Sequence, residues 1–84
     1  MRIYMQTQAA ENQSPRYYHI HLEQDLFEGW IVTKEWGAQG ASGRVVKKYF
    51  KTFDEAEKDV INTRDKQLKR GYRTVFAEGQ NSPL

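Results

Sequence analysis

The stretch WIVTKEWGAQGASGRVVKKYF, residues 30–50, contains two β-type runs separated by a glycine-rich segment. Residues 30–36 and residues 44–50 are both rich in aromatic and β-branched side chains, which favour extended strands. Two such runs joined by a short, glycine-containing turn usually pair with each other. The stretch therefore predicts an antiparallel hairpin.

The turn of this hairpin carries Gly37, Gly40 and Gly43. We expect these glycines to permit positive backbone φ, although exposed amides in such a turn can also hold a phosphate oxygen. The segment lacks both the lysine and hydroxyl pair of a Walker loop and the glycine spacing of a dinucleotide fold. It predicts no cofactor.

Two further strands are predicted upstream, at residues 2–6 and 16–22, with a polar loop between them. Alternation along the second strand assigns its side chains to opposite faces of a sheet. The core face would carry Tyr18, Ile20 and Leu22, and the other face Tyr17, His19 and His21.

A helix is predicted at about residues 53–70, because Thr52 and Glu55 have the spacing of a capping box and Gly71 suits a left-handed C-cap. Apolar side chains recur at helical spacing and predict its buried stripe. The stripe comprises Phe53, Ala56, Val60 and Leu68, with Ile61 and Arg64 close to it. Residues 72–77 can form a last strand, and residues 78–84 are expected to be a disordered tail.

Composition limits the function classes. The 84 residues suffice for one domain and contain no cysteine, which argues against disulfides and thiolate metal sites. No apolar run reaches the roughly 20 residues of a membrane helix, and the N-terminus lacks the apolar region of a signal peptide. We expect a soluble, cytoplasmic, monomeric protein.

The positive charge is concentrated in one half of the chain. Residues 44–73 hold ten of the thirteen Lys and Arg against five Asp and Glu, although the net charge is only +2. Such segregation can create a positive face for a phosphate-bearing polymer, or it can simply solvate the surface.

Several separately placed anchors resemble the WGR domain family over residues 16–73. The anchors are Tyr18-x-Ile20-x-Leu22, Trp30-x-Val32, Trp36-Gly37-Ala38-Gln39-Gly40-x-x-Gly43, Phe50, Thr52-x-x-Glu55-Ala56 and Lys69-Arg70-Gly71-Tyr72. The resemblance implies a single α+β domain over residues 1–77, an antiparallel sheet of four to five strands packed by one long α-helix. The family occurs in DNA-dependent poly(ADP-ribose) polymerases, where it contacts DNA near a break, and in short bacterial proteins.

One residue departs from the family motif, since Ala38 stands where the family has an arginine. Alanine cannot make the bidentate phosphate contact of a guanidinium. We expect Trp36 to stack on a base or sugar and Arg44 to supply a cation in place of the arginine. Trp36 could instead brace the hairpin, and Trp30 is expected in the core.

The expected nucleic-acid site adds cations from the strand and from the helix end, although Lys47 and Lys48 must lie on opposite sheet faces. The site residues are Trp36, Arg44, Lys47, Lys69, Arg70 and Arg73. We expect a non-catalytic module that binds DNA ends or single-stranded DNA. The alternative is a protein-interaction adaptor that uses the same sheet face and does not contact nucleic acid.

Enzymatic and metal-binding functions have weaker support. Neither serine has a histidine and an acid at a catalytic spacing, so no catalytic residues are proposed. His19-x-His21-x-Glu23 would place three potential ligands on one strand face, but alternating polar residues are also typical of a solvated sheet. We expect an exposed surface there and no metal site.

Overall fold

A five-stranded antiparallel sheet with one helix against it forms the fold, in a computed structural model that describes residues 1–79. The elements in chain order are β1 (Arg2–Gln6), β2 (Arg16–Gln24), β3 (Trp30–Ala38), β4 (Arg44–Phe50), α1 (Phe53–Lys69) and β5 (Arg73–Glu78). The sheet order is β4-β3-β2-β1-β5. The predicted α+β class is confirmed, with a helix of 17 residues.

The predicted strands are all present. β1 and β4 have the expected bounds, whereas β2 and β3 each extend two residues further. Their pairing explains the extension, because it runs from Arg16 opposite Ala38 to Gln24 opposite Trp30. β5 runs through Glu78, one residue beyond the expected strand. The tail predicted at residues 78–84 is therefore wrong at Glu78, which pairs with Arg2 in the sheet, and its part from residue 80 onward lies outside the described residues.

The ends of α1 follow local chemistry. The Thr52 hydroxyl accepts from the Glu55 amide at 3.2 Å, as the capping box predicts. The Glu55 carboxylate, however, accepts from the Thr52 hydroxyl at 3.0 Å and does not reach back to the Thr52 amide. Gly71 has a φ of +97°, which confirms its role after the C-cap residue Arg70.

The buried stripe of α1 differs from the prediction at its C-terminal end. Thr63 and Gln67 are buried below Val60, whereas Leu68 is 43% exposed. The reason is helical geometry: a residue seven positions after Val60 returns to within about 20° of it, and the next residue lies about 80° away. A polar glutamine therefore occupies the place expected for leucine.

The helix covers one face of the sheet, here called the core face. Its buried apolar residues come from β1, β2, β3 and α1, and comprise Ile3, Met5, Tyr18, Ile20, Leu22, Val32, Ala56 and Val60. Lys34 also lies on this face and forms an ion pair with Asp59 of α1 at 3.0 Å. The other face, here called the open face, has no second layer within residues 1–79. No helix in this range is long and apolar enough to cross a membrane.

Two of the three turn glycines serve close packing instead of positive φ. Only Gly40 has a positive φ, +82°, among Gly37, Gly40 and Gly43. A Cβ on Gly43 would meet the Tyr17 hydroxyl and would lie 2.8 Å from the Trp36 carbonyl oxygen. A Cβ on Gly37 would lie 3.1 Å from the Gly43 Cα. The expectation that these glycines serve positive φ at the turn is therefore wrong for Gly37 and Gly43.

Candidate nucleic-acid interface

A partly open cavity of about 390 Å³ lies where β2, β3 and the end of α1 meet on the core face. We call it the basic cavity, because both charged residues in its lining are arginines. The lining comprises Thr7, Arg16, Tyr18, Trp36, Gln67, Arg70 and Tyr72.

Three aromatic rings give the basic cavity its wall. Trp36 lies parallel to Tyr18, with ring centroids 5.5 Å apart and an interplanar angle of 8°. Tyr72 meets Tyr18 edge-on at 5.9 Å and 83°. Trp36 is only partly buried and packs against the hydrophobic core while lining the cavity. Its packing agrees with the expected hairpin brace, and the ligand-facing role of the ring stays a prediction.

Arg16 and Arg70 enter the basic cavity from different elements. Arg16 is the first residue of β2 and pairs directly with Ala38 of β3, and Arg70 is the C-cap residue of α1. Both are exposed, and neither belongs to an ion pair within residues 1–79. Guanidinium groups in this state can meet a phosphate without first losing an internal partner.

Two polar groups add hydrogen-bonding capacity. Burial raises the pKa of the Tyr18 phenol, with smaller contributions from Tyr72 and Asp59, so the hydroxyl stays protonated at neutral pH. Gln67 is 4% exposed, and its side-chain oxygen has no hydrogen-bond partner. Gln67 thus brings a side-chain amide to the cavity lining, although its oxygen is itself shielded from solvent.

The predicted site residues divide between the two faces. Trp36 and Arg70 line the basic cavity, and Lys69 is an exposed neighbour of Arg70. Arg44 pairs with Trp36 and so belongs to the core face, although it is outside the cavity lining.

The remaining two predicted cations belong to the open face by strand register. Lys47 pairs with Thr33, and Arg73 pairs with Gln6. The structure therefore places them apart from Trp36. Lys48 is on the core face, 3.9 Å from Asp59, so the expected split between Lys47 and Lys48 is confirmed.

Several residues that line the basic cavity were not predicted as site residues, although sequence patterns pointed to two of them. Arg16 has the same strand parity as Tyr18, which was assigned to the core face. Gln67 is seven residues after Val60 and thus on its side of the helix. Tyr72 belongs to a family anchor but not to the predicted site, and Thr7 shows no pattern, because the positions of both depend on how β1 and β5 enter the sheet.

The open face carries the histidine pair. His19 and His21 stack with ring centroids 6.4 Å apart, and the Tyr17 hydroxyl donates to Glu35 at 2.8 Å. That hydrogen bond is the main cause of the raised pKa of Tyr17. Within residues 1–79, no group of three or more His, Asp or Glu side chains is positioned to hold a metal ion.

Sequence comparisons place the chain among known proteins. The profile of the WGR domain matches residues 1–79. An uncharacterized protein, y4dW, of Sinorhizobium fredii (strain NBRC 101917 / NGR234) is 26% identical over 72 residues, which cover 86% of this chain and 35% of that protein. The chain thus spans about a third of the length of this curated relative. No solved structure matches it. On the extent of the profile match, the chain belongs to the WGR domain family.

Proposed function

We propose that the chain is a non-catalytic module that binds DNA ends or single-stranded DNA through the basic cavity. WGR domains are generally nucleic-acid-binding modules in poly(ADP-ribose) polymerase-like proteins. The observation that carries the proposal for this chain is the lining itself, which joins Trp36 to Arg16 and Arg70 without any acidic side chain.

The indole of Trp36 supplies the stacking surface. Its stacking on Tyr18 fixes the ring plane, while the part that lines the cavity remains available to a base or sugar. A pre-oriented ring loses little side-chain entropy when a ligand stacks on it, and base–aromatic stacking contributes about 1–3 kcal/mol per base. A terminal or unpaired nucleotide suits this geometry, because its base or sugar is accessible.

Arg16 would supply the guanidinium that the family's arginine provides at the position occupied here by Ala38. Directly opposed residues of an antiparallel pair have Cα atoms only about 4.5–5.5 Å apart, so an arginine at position 16 can reach the space that one at position 38 would serve. Arg44 was the replacement expected from sequence, but Arg16 is the one of the two that lines the cavity with Trp36.

The ligand would bring both charges and donors. Its phosphates would meet Arg16 and Arg70, and a sugar hydroxyl or base amino group would donate to a tyrosine hydroxyl of the lining, on Tyr18 or Tyr72. The hydroxyl groups of the lining belong to Thr7, Tyr18 and Tyr72, and the lining places no histidine or carboxylate beside them to act as a general base.

Fluorescence anisotropy with labelled blunt duplex, nicked duplex and single-stranded DNA tests the proposal. Each form is titrated at salt concentrations between 50 and 200 mM. A closed circular duplex, which has no ends, is added as a competitor. We expect the nicked and single-stranded forms to bind more tightly than this competitor, and their affinity to fall as the salt concentration rises. No binding of any form at 50 mM salt would contradict the proposal.

Charge-matched variants localise the contact. Arg16→Gln and Arg70→Gln should each weaken binding about tenfold and lower the salt slope by about 1. Lys47→Gln removes the same charge from the open face and should change the affinity less than twofold. Equal losses in all three variants would show general electrostatics in place of a defined site.

A further inference from the structure

The loop between β2 and β3, residues 25–29, has a fixed shape. One oxygen of the Asp25 carboxylate accepts from the amides of Phe27 and Gly29, both at 2.8 Å. The Asp25 amide donates to the Gly29 carbonyl at 2.9 Å, which closes the loop. Glu28 has a φ of +67°, a conformation that non-glycine residues adopt rarely and at a cost in strain. Three hydrogen bonds and the positive φ of Glu28 thus define the shape of this loop.

That shape presents two large apolar side chains to solvent. Leu26 is 94% exposed and Phe27 is 90% exposed. Together with Ile31 and Tyr49 they border a shallow cavity of about 420 Å³ on the open face. We call residues 25–29 with Ile31 and Tyr49 the hairpin tip. Adjacent exposed apolar side chains on a rigid loop mark an interaction surface more often than isolated ones do.

The charged residues that line the cavity at the hairpin tip are acidic, whereas Lys47 lies beyond Tyr49 on the same face. Glu23 and Asp25 are the two charged residues that line its cavity, and Glu28 lies in the same loop. Their carboxylates disfavour phosphate groups, and therefore both nucleic acid and anionic membranes. They also disfavour a symmetric dimer through this surface, because two-fold symmetry would bring like charges together. The favoured occupant is a protein segment of positive charge.

We propose that the hairpin tip is a docking site for a protein partner that inserts a large apolar side chain flanked by Lys or Arg. The apolar side chain would pack between Phe27 and Tyr49, and the basic groups would pair with Glu23 and Asp25. The fixed loop lowers the ordering cost of such docking, since its backbone is already held in place.

The docking site is separate from the basic cavity. The hairpin tip follows Gln24, and Tyr18 of the basic cavity is six residues earlier in the same strand, about 20 Å away at the rise of a β-strand. Ile31 and Tyr49 lie on the open face, whereas Trp36 belongs to the core face. Both sites can therefore be occupied at once, and the docking site does not depend on the proposed nucleic-acid function.

Peptide display tests this inference. A phage library of random twelve-residue peptides is selected on the immobilised full chain and counter-selected on the double variant Leu26→Ser/Phe27→Ser. We expect enriched sequences with an aromatic or long aliphatic residue within two positions of Lys or Arg. The two most enriched peptides are then synthesised, and their affinities are measured by fluorescence anisotropy.

The variants separate contact from folding. Affinity should fall at least tenfold in Leu26→Ser/Phe27→Ser and several-fold in Glu23→Gln/Asp25→Asn, where the asparagine oxygen can keep the loop hydrogen bonds. Arg16→Gln should bind the peptides as the wild type does. A urea unfolding midpoint equal to that of the wild type would show that the variant Leu26→Ser/Phe27→Ser is folded.

Several results would overturn the inference. These are no enrichment, enriched peptides without basic residues, or equal binding to the serine variant. A concentration-dependent dimer in sedimentation velocity that disappears in the serine variant would assign the hairpin tip to self-association. Loss of DNA affinity in that variant would assign it to nucleic acid.

Discussion

The two ends of the β2–β3 hairpin differ in charge and in the way their side chains are held. At one end, Trp36 pairs with Tyr18 in a cavity whose charged lining residues are two arginines. At the other end, a turn follows Gln24 and presents apolar side chains beside carboxylates. One pair of strands thus supports two surfaces of opposite electrostatic preference.

The two surfaces also differ in how much they contribute to the stability of the domain. Tyr18 is 8% exposed and belongs to the hydrophobic core, so the basic cavity shares side chains with the packing of the domain. Leu26 and Phe27 contribute almost no burial. Substitutions of the aromatic residues in the basic cavity should affect folding and binding together, whereas substitutions of Leu26 and Phe27 should affect binding alone.

The largest expected effect is on stability at the basic-cavity end. Gly43→Ala would place a methyl group against the Tyr17 hydroxyl and the Trp36 carbonyl oxygen. We expect a loss of about 1–3 kcal/mol in the free energy of unfolding, because the backbone of β3 must shift. Urea unfolding measures it. Ser42→Ala, an exposed position in the same turn, should change stability by less than about 0.5 kcal/mol and is the control.

The next effect concerns Arg16 of β2, which we propose takes the place of an arginine at position 38 of β3. Arg16→Gln should weaken DNA binding about tenfold, about 1.4 kcal/mol, and the double variant Arg16→Gln/Ala38→Arg should restore most of the loss. DNA titrations by anisotropy compare the two. If the double variant binds no better than Arg16→Gln, the two positions do not serve the same space.

A smaller effect is expected at the hairpin tip. Asp25→Ala removes the acceptor for two loop amides and should lower the free energy of unfolding by about 1 kcal/mol. DNA affinity should stay unchanged, since the basic cavity is at the other end of the hairpin. Asp25→Asn, which retains an acceptor oxygen, should behave like the wild type in urea. A fall in the DNA affinity of Asp25→Ala would contradict the separation of the hairpin tip from the basic cavity.

The smallest effect is the pH dependence from the open face. Burial lowers the pKa of His19, and the positive charges of Arg2 and His21 add to the effect against the opposing charge of Glu35. Its contribution to stability is therefore present above the unfolded value near 6.5 and is lost as pH falls toward the lower folded value. Urea unfolding at pH 7 and pH 5 should show a smaller loss for His19→Gln than for the wild type. Equal losses would contradict this assignment.

Local patterns allowed much of the fold to be predicted. The strand bounds of β1 and β4 and the cap at Thr52 depend on neighbouring residues, and they were found from sequence. The predicted stripe of α1 is confirmed at Val60 and wrong at Leu68, because the helical angle buries the polar Gln67 instead of the more hydrophobic Leu68.

The candidate site was less predictable, because it depends on pairings distant in sequence. Arg16 meets Ala38 only through the register of β2 on β3, and the face of Arg73 depends on β5 pairing with β1 at the far edge of the sheet. Gly43 is similar, since its contact with Tyr17 joins a turn to another strand. Cations that are close together in the sequence were therefore predicted to form one site, although the sheet places them on opposite faces.

The two tryptophans provide the most direct test of the central claim, which is that nucleic acid binds at the basic cavity. Both are in β3, with Trp36 at the basic cavity and Trp30 six residues away, edge-on to Phe53 at 5.0 Å. Single-stranded DNA is titrated into ¹⁵N-labelled protein, and the two indole N–H resonances are followed by NMR. The account predicts a saturable shift of the Trp36 resonance with little change at Trp30. A shift at Trp30 alone, equal shifts at both, or no shift at either would contradict it.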